Sequence, residues 1–369
     1  MSETFICTMC GEENPLEDCT FLDEEMLCPD CQEEHTRICD HCGNRIWLDD
    51  VYGDDDLTLC RHCRETYYET CYECGRLVEY NSVRCDVDGE TYCEDCYNQL
   101  HVDPDGVQNY WFKPDPIFYG AGPRFMGVEL EIDGAGENDE YANVIRSAAN
   151  EDDVHIYVKH DGSLDDGFEI VTHPMTLDYH INRMPWKEVI QEALHLGYLS
   201  HKAGTCGLHV HVSRECFGIT RTEQENAIAR ILYFIENHWH EMLKFSRRTP
   251  GQMEKWAARY GRKDEPKAVL DSAKRSSKGR YSCVNIENNH TIEFRMFRGT
   301  LKYNTLIATL QMVDLICDVA LSLTDCEIID VTWSEFVSGI PTEKYPELIQ
   351  YLKERRLYIN EPVSISEEV

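Results

Sequence analysis

Four short stretches set carboxylates and imidazoles at spacings that a β-strand turns to one face, since successive side chains alternate sides. In GVELEID, residues 127–133, Glu129 and Glu131 share a face while Val128, Leu130 and Ile132 take the other. KHDGSLDDGFEIVTHP, residues 159–174, turns at Asp161-Gly162 and enters a strand in which Glu169 stands among Phe168, Ile170 and Val171. CGLHVHVS, residues 206–213, puts His209 and His211 together. TIEFRMFRGTL, residues 291–301, aligns Glu293, Arg295 and Phe297, with Arg298 just before a Gly299-Thr300 turn. Each stretch alone has a bland reading: a solvated strand face, an edge glutamate, exposed histidines, a cross-strand salt bridge.

Taken together they carry more. If Glu129, Glu131, Glu169 and Glu293 converge, six carboxylate pairs arise. At about 4 Å and an effective dielectric near 20, each pair costs roughly 4 kcal/mol. Even a fraction of that sum rivals the stability of a whole domain, about 5–15 kcal/mol. Either the groups protonate or divalent cations sit among them. Oxygen-rich shells favour Mg²⁺ or Mn²⁺ over Zn²⁺, with His209 the odd nitrogen ligand. An arginine beside such a cluster has a chemical use, neutralising a transferring phosphoryl group.

The second set of ligands is sulfur. Of 19 cysteines, 14 fall in the first 100 residues, and twelve of these form six C-x2-C pairs. The leading pairs start at Cys7, Cys39 and Cys71 and the trailing pairs at Cys28, Cys60 and Cys93, an internal repeat of 32 or 33 residues. Two such hooks close a tetrahedral tetrathiolate shell around Zn²⁺, a structural type of site. The expected groups are Cys7, Cys10, Cys28 and Cys31, then Cys39, Cys42, Cys60 and Cys63, then Cys71, Cys74, Cys93 and Cys96. A hook could also pair with that of the next unit; the repeat favours pairing within each unit. Cys19 and Cys85 stand outside the pattern as buried or spare thiols. The units resemble zinc-ribbon and LIM-type half-modules. Three structural zincs are therefore expected.

Charge narrows the partners. Residues 1–100 hold 26 acidic and six basic side chains, and the whole chain carries a net −33. Phosphate contacts dominate nonspecific nucleic-acid affinity, so neither nucleic acid nor an anionic membrane is an expected partner. A structural or protein-docking role is the default for the zinc units. The opening residues show no basic segment followed by an apolar one, and no run of about 18 apolar residues occurs. A reducing, cytoplasmic setting is expected, in which paired cysteines hold metal rather than disulfides.

The scaffold that must position these groups is legible in part. A chain of 369 residues with 42% hydrophobic content implies two or three domains and a sizeable core. The reading is α+β: three tandem zinc units over 1–100, a Pro- and Gly-rich linker over 101–123, a larger domain over 124–325 and a C-terminal helical extension over 326–369. Thr220 with Glu223 forms a capping box ahead of a stripe from Ala227 to Met242. Asn304 is placed to cap a second long helix, Pro185 opens a shorter one, and Thr332 with Glu335 caps another.

At this point the motifs acquire a family likeness. G-x-E-x-E, G-x-H-x-H and I-E-x-R, in that order, resemble the metal and nucleotide strands of the glutamine synthetase-like carboxylate–amine ligases. With D-G-S-L…G-F-E-I-V-T-x-P, the lead-in YSCVN from Tyr281 to Asn285 and TIEFR…GTL, the set is similar to the amidoligase branch, over roughly 124–325. The resemblance implies a glutamine synthetase-like curved antiparallel sheet around ATP and two or three Mg²⁺. It implies that Glu131 and Glu169 hold one metal, and that Glu129, His209 and Glu293 hold another between the ATP phosphates. His211 would lie near the nucleotide and Arg295 would face the transferred phosphoryl, so that Glu129, Glu293 and Arg295 form the catalytic set. The substrate carboxylate, of an amino acid, peptide or protein, would be phosphorylated and then attacked by an amine.

One segment runs against the acidic trend. Residues 244–280 hold twelve basic and four acidic side chains. Lys274, Arg275, Lys278 and Arg280, in KRSSKGRY, are expected with Arg298 to close over phosphates; a solvated helix face with a loop is the alternative. Two other functions fit the same residues: a metal-dependent amide hydrolase, and a non-catalytic zinc-binding interaction protein.

Overall fold

The computed structural model describes residues 4–54, 56–85, 89–100, 106–151 and 153–358. The chain divides into two compact units, residues 1–102 with 111–114, and residues 103–110 with 115–369.

The smaller unit repeats one motif three times. Each repeat opens with a two-stranded hairpin, pairing Thr4–Ile6 with Glu13–Pro15, Thr36–Ile38 with Arg45–Trp47, and Tyr68–Thr70 with Leu77–Glu79. Each closes with a short helix, Pro29–His35, Arg61–Tyr67 or Glu94–Leu100. The glycine of C-x2-C-G is required by the knuckle. Gly11, Gly43 and Gly75 have φ of 77°, 74° and 74°, where a Cβ is disfavoured, and each donates its N–H to the carbonyl of the first cysteine. The first two helices run directly into the strands at Thr36 and Tyr68, so the residues between units are helix and then strand rather than linker. Trp47 of the second repeat packs on the core of the first and donates to Asp23 at 2.9 Å, tying neighbouring repeats together.

The larger unit is built on one six-stranded sheet. Its strands are β1 (Met126–Asp133), β2 (Ile156–Lys159), β3 (Gly167–Thr172), β4 (Gly207–Ser213), β5 (Val284–Asn285) and β6 (Thr291–Arg298). They lie in the order β2-β3-β1-β4-β6-β5 with every pair antiparallel. Val128, Leu130 and Ile132 of β1, Leu208, Val210 and Val212 of β4, and Ile292 and Phe294 of β6 are buried in a single apolar core. The helices that complete this core are α1 (Asp139–Ala149), α2 (Leu177–Asn182), α3 (Trp186–His195), α4 (Arg221–Asn237), α5 (Trp239–Ser246), α6 (Pro250–Trp256), α7 (Pro266–Lys274), α8 (Tyr303–Ser322), α9 (Asp325–Asp330), α10 (Trp333–Ser338) and α11 (Pro346–Glu354).

Several helix starts match the sequence and some do not. The Thr220–Glu223 and Thr332–Glu335 capping boxes are formed. Asn304 is not a cap: α8 begins at Tyr303 with Lys302 at its N-cap, so Asn304 lies inside the first turn. The stripe from Ala227 to Met242 is two helices, because the chain leaves helical geometry at His238. Among the described residues α8 alone is long and apolar enough to cross a membrane by length and composition, yet 78% of its apolar window is buried in the fold. It carries buried polar groups met by protein partners: Gln311 accepts from the Leu348 N–H at 2.7 Å, and Asp314 accepts from Tyr345 Oη at 2.8 Å. Residues 326–358 therefore pack into the larger unit, with α11 against α8. In the Pro-rich segment, residues 101–105 lie outside the described residues; Gln108 pairs with Lys159 beside the β2 edge, and Tyr119 pairs with Met175.

Candidate metal centres and active site

In the zinc units the four sulfurs of each repeat come together as expected, within 4.8 Å of one another. Sγ separations are 3.8 Å for Cys10–Cys28, 4.0 Å for Cys42–Cys60 and 3.8 Å for Cys74–Cys93. A tetrahedron with Zn–S bonds of about 2.3 Å has edges of about 3.8 Å, so the cages fit zinc. Cys7 is driven down to about 6 by the Cys10 backbone N–H, and Cys74 to about 6 by Arg76. Burial pushes the last thiol of each unit up. Cys19, half-buried, and Cys85, exposed, belong to none of these groups.

The sheet of the larger unit assembles the second cluster row by row. Glu129 stands opposite His209 on β4 and Val171 on β3, while Glu131 stands opposite Glu169. His211 stands opposite Glu293, and Glu293 opposite Asn285. All five predicted metal ligands and His211 thus share one face. His209 Nδ1 is 3.1 Å from Glu129 Oε2 and 3.7 Å from Glu293 Oε1, and its Nε2 is 3.6 Å from Glu131 Oε1. His211 Nε2 is 3.1 Å from Glu129 Oε1. Two sets of candidate ligand atoms lie within 4.8 Å: Glu129, Glu169 and His209, and Glu129, His211 and Glu293. Glu129 is common to both. This grouping differs from the one the family likeness implies, because His211 joins the carboxylates and Glu131 turns to accept the Gly207 N–H.

The arginines are placed by an irregularity. Leu208 pairs with Phe297 but Val210 pairs with Phe294, so β6 carries one extra residue at this point. Beyond a bulge the alternation resets. Phe297 therefore sits in the core opposite Leu208, not beside Arg295 as simple alternation predicts, and Arg298 stands opposite Gly207. Arg295 contacts Glu293, and its guanidinium lies 6.0 Å from the Tyr281 ring. The Nε atoms of Arg295 and Arg298 are buried with no hydrogen-bond partner.

Two cations that the motifs missed complete the face. Lys159, buried, stands opposite Glu169 with Nζ 3.5 Å from Oε2. The loop of residues 160–166 between β2 and β3 sets this register, which the Asp161-Gly162 turn alone did not reveal. Arg248, also buried, comes from the loop after α5. A Cβ on Gly207 would fall 2.6 Å from His209 Nε2 and 2.7 Å from Arg248 Nη2, so glycine there makes room for both side chains. No local pattern marks Arg248; only the tertiary fold delivers it. Asn285 donates to Glu293 Oε2 at 2.9 Å, giving the YSCVN segment a definite task.

These neighbours shift the titrating groups apart. Burial drives Glu129 up, but His211 and His209 outweigh it and hold the carboxyl well below the usual range. Burial, reinforced by Glu129, pushes Glu169 well above its usual range despite Lys159. Glu131 is raised by burial. Arg248 falls to about 10 through burial with Arg295 and Arg298 nearby, Glu131 opposing. The repulsion argued from sequence is therefore offset in part by fixed protein cations.

Of the four cations in KRSSKGRY, only Arg280 reaches this face. It contacts the Tyr110 hydroxyl, lies 3.0 Å from the Tyr281 hydroxyl, and sits over the Tyr281 ring at 5.0 Å. Lys274 pairs instead with Glu225 of α4 at 2.8 Å, Arg275 donates to the Asp271 carbonyl at 3.0 Å, and Lys278 is exposed. Lys274 lines a separate polar cavity of about 510 Å³ with Arg214, Arg221 and Asn288.

A family model described as "putative amidoligase enzyme" matches residues 129–316, half of the chain. The chain belongs to the amidoligase family. The matched stretch runs from Glu129 through the whole carboxylate face into α8. A search of curated proteins returned no match. Among solved structures, a bifunctional glutathione synthetase from Pasteurella multocida aligns at 11% identity and a TM-score of 0.33, covering 63% of this amidoligase and 46% of that chain. The amidoligase thus spans less than half the length of that protein, and nothing below rests on this likeness.

Proposed function

We propose that the larger unit is an ATP- and Mg²⁺-dependent carboxylate–amine ligase with a glutamine synthetase-like site. The observation that carries this reading is Glu129, shared by two ligand sets on a face that also bears Arg295, Arg298 and Arg248. Acyl activation by ATP needs both divalent cations and groups that take up phosphoryl charge. In this reading Glu129, Glu169 and His209, together with Glu293 and His211, hold Mg²⁺, and Glu131 supports the ring of His209. Bound Mg²⁺ would neutralise phosphate charge as it shifts from ATP to the acceptor. Arg295, with unpartnered Nε, faces the phosphoryl group, and Arg298 and Arg248 hold the acidic end of the substrate or nucleotide. Arg280, Tyr281 and Tyr110 rim the entrance.

The γ-phosphoryl group passes to the substrate carboxylate and ADP leaves. The amine then attacks the acyl carbon, phosphate departs, and an amide remains. The substrate class is an amino acid, peptide or protein. The acidic zinc array serves as a dock for a protein substrate, in a reducing cytoplasmic setting. The test is ADP release from a panel of carboxylates and amines with Mg²⁺, alongside mass spectrometry of the products. ADP formed only when both partners are present supports the ligase. Amide cleavage without ATP would move the assignment to a hydrolase.

A further inference from the structure

Acidic side chains outnumber basic ones 68 to 35, yet five cations gather at one end of the carboxylate face with no ion pair among the described residues. They are Lys202, Arg247, Arg248, Arg298 and Arg355. Backbone carbonyls hold three of them in line. Arg355, at the end of α11, donates to the Lys244 carbonyl in the last turn of α5 at 2.8 Å. Arg247 donates to the Arg298 and Gly299 carbonyls, the latter at 3.1 Å, and Arg248 donates to the Phe297 carbonyl at 3.3 Å. Two successive arginines thus pin the end of β6, while Arg298, which it carries, has a buried Nε with no partner. Gly299 lies against Ser200, which brings His201 and Lys202 beside the same turn. His201 is lowered by partial burial and then by Arg298, Arg247, Arg355 and Lys202, as expected of a histidine among cations. Two carboxylates nearby are engaged elsewhere. Glu131 accepts the Gly207 N–H and lies 3.6 Å from His209, and Glu354 is 3.3 Å from Lys302.

Cations with unspent donors call for oxyanions. ATP carries its charge on the triphosphate alone, which the ligase reading sets on Glu129, His209, Glu293 and Arg295. The cation line runs the other way, from the Gly207–Arg298 row out to Arg355 and the exposed Lys202. That row is two residues from His209 along β4, about 7 Å. Side chains i and i+2 of an extended peptide have the same spacing. A peptide carboxylate reacting beside His209 therefore places the next side chain on its own face at Arg298 and Arg248.

Resting on the ligase reading above, we propose that this line binds an acidic polypeptide segment, one of whose glutamate or aspartate side chains is the carboxylate activated. Arg298 and Arg248 take the carboxylate two residues away, and Lys202 and Arg355 take those beyond it. The acidic zinc array repels such a segment, so it can dock only a different, basic part of the same protein.

The probe is a fluorescein-labelled ten-residue glutamate peptide, read by anisotropy against the full-length, zinc-loaded chain at low salt. It should bind, and lose affinity as salt rises, while a glutamine peptide of the same length stays free. A Lys202→Met, Arg298→Met double variant should bind it at least about tenfold more weakly. Mg²⁺ with a non-hydrolysable imido analogue of ATP should leave the peptide bound. Competition between the two would assign the arginines to the nucleotide and overturn the proposal. Equal or tighter binding of a ten-residue thymidine oligonucleotide would overturn it too, marking a general polyanion patch. Hydroxylamine displaces phosphate from an acyl phosphate, so with ATP and Mg²⁺ it should convert a bound glutamate side chain to the hydroxamate. Peptide bound but never converted sinks its role as carboxylate donor and the ligase reading with it, leaving a peptide-binding line. Peptide that does not bind overturns the proposal and leaves the ligase reading standing. The wild-type measurements decide even if the double variant fails to fold.

Discussion

Each thiol cage of the N-terminal array draws its ligands from one short stretch, as from Cys7 to Cys31, whereas the carboxylate site gathers groups from Glu129 to Arg295. The array closes small loops, which cost little entropy, and binding zinc itself supplies the folding free energy of such units. The sheet must be assembled first, by burying Val128, Leu130, Val210 and Phe294, before its polar face exists at all. One region is organised by its ligands; the other organises ligands on a fold already stable without them. On the proposed reading, that difference separates a structural metal site, closed by four protein ligands, from one that keeps room for substrate.

Three perturbations bear on this contrast. The largest effect is expected from zinc removal. Chelation, or Cys39→Ser with Cys42→Ser, removes on the order of 10–16 kcal/mol per site. Hydrogen exchange should show array amides losing protection while β1, β4 and β6 keep theirs. Simultaneous loss in both units would break the comparison. Next is Glu129→Gln, expected to lower ATP-dependent amide synthesis by at least about 10²–10³-fold. Its thermal midpoint should fall only slightly, because the contacts to His209 and His211 that favour the Glu129 carboxylate are lost while its repulsion of Glu169 is relieved; a fall like that of a core variant would make Glu129 a structural residue. The smallest is Gly207→Ala, whose methyl meets the His209 ring and Arg248. Overpacking there should cost about 1–3 kcal/mol, read from urea unfolding, with loss of activity beyond what stability explains. Full activity in that variant would show that Arg248 need not lie where the fold puts it.

Much of the site could be read directly. The i, i+2 spacing of Glu129/Glu131 and His209/His211 predicted a shared face, and the sheet register sets the two pairs side by side. Alternation failed at one place, β6, where an extra residue sends Phe297 into the core and leaves Arg298 opposite Gly207. A bulge depends on how two strands pair, so one strand's sequence does not reveal it. The basic segment misled for a similar reason: Lys274 has a carboxylate partner on α4, which composition cannot show.

The sequence by itself determined the zinc cages, since C-x2-C-G at a repeat of 32 residues encodes knuckle, ligand and spacing within one loop. It also determined which side chains share the carboxylate face, because strand periodicity is a local property. Tertiary structure decided which groups meet: His211 with Glu129, Lys159 with Glu169, Arg248 beneath Gly207. Those encounters depend on strand order, register and loop paths set by burial of the opposite face, a free energy summed over the whole core rather than written in any one segment.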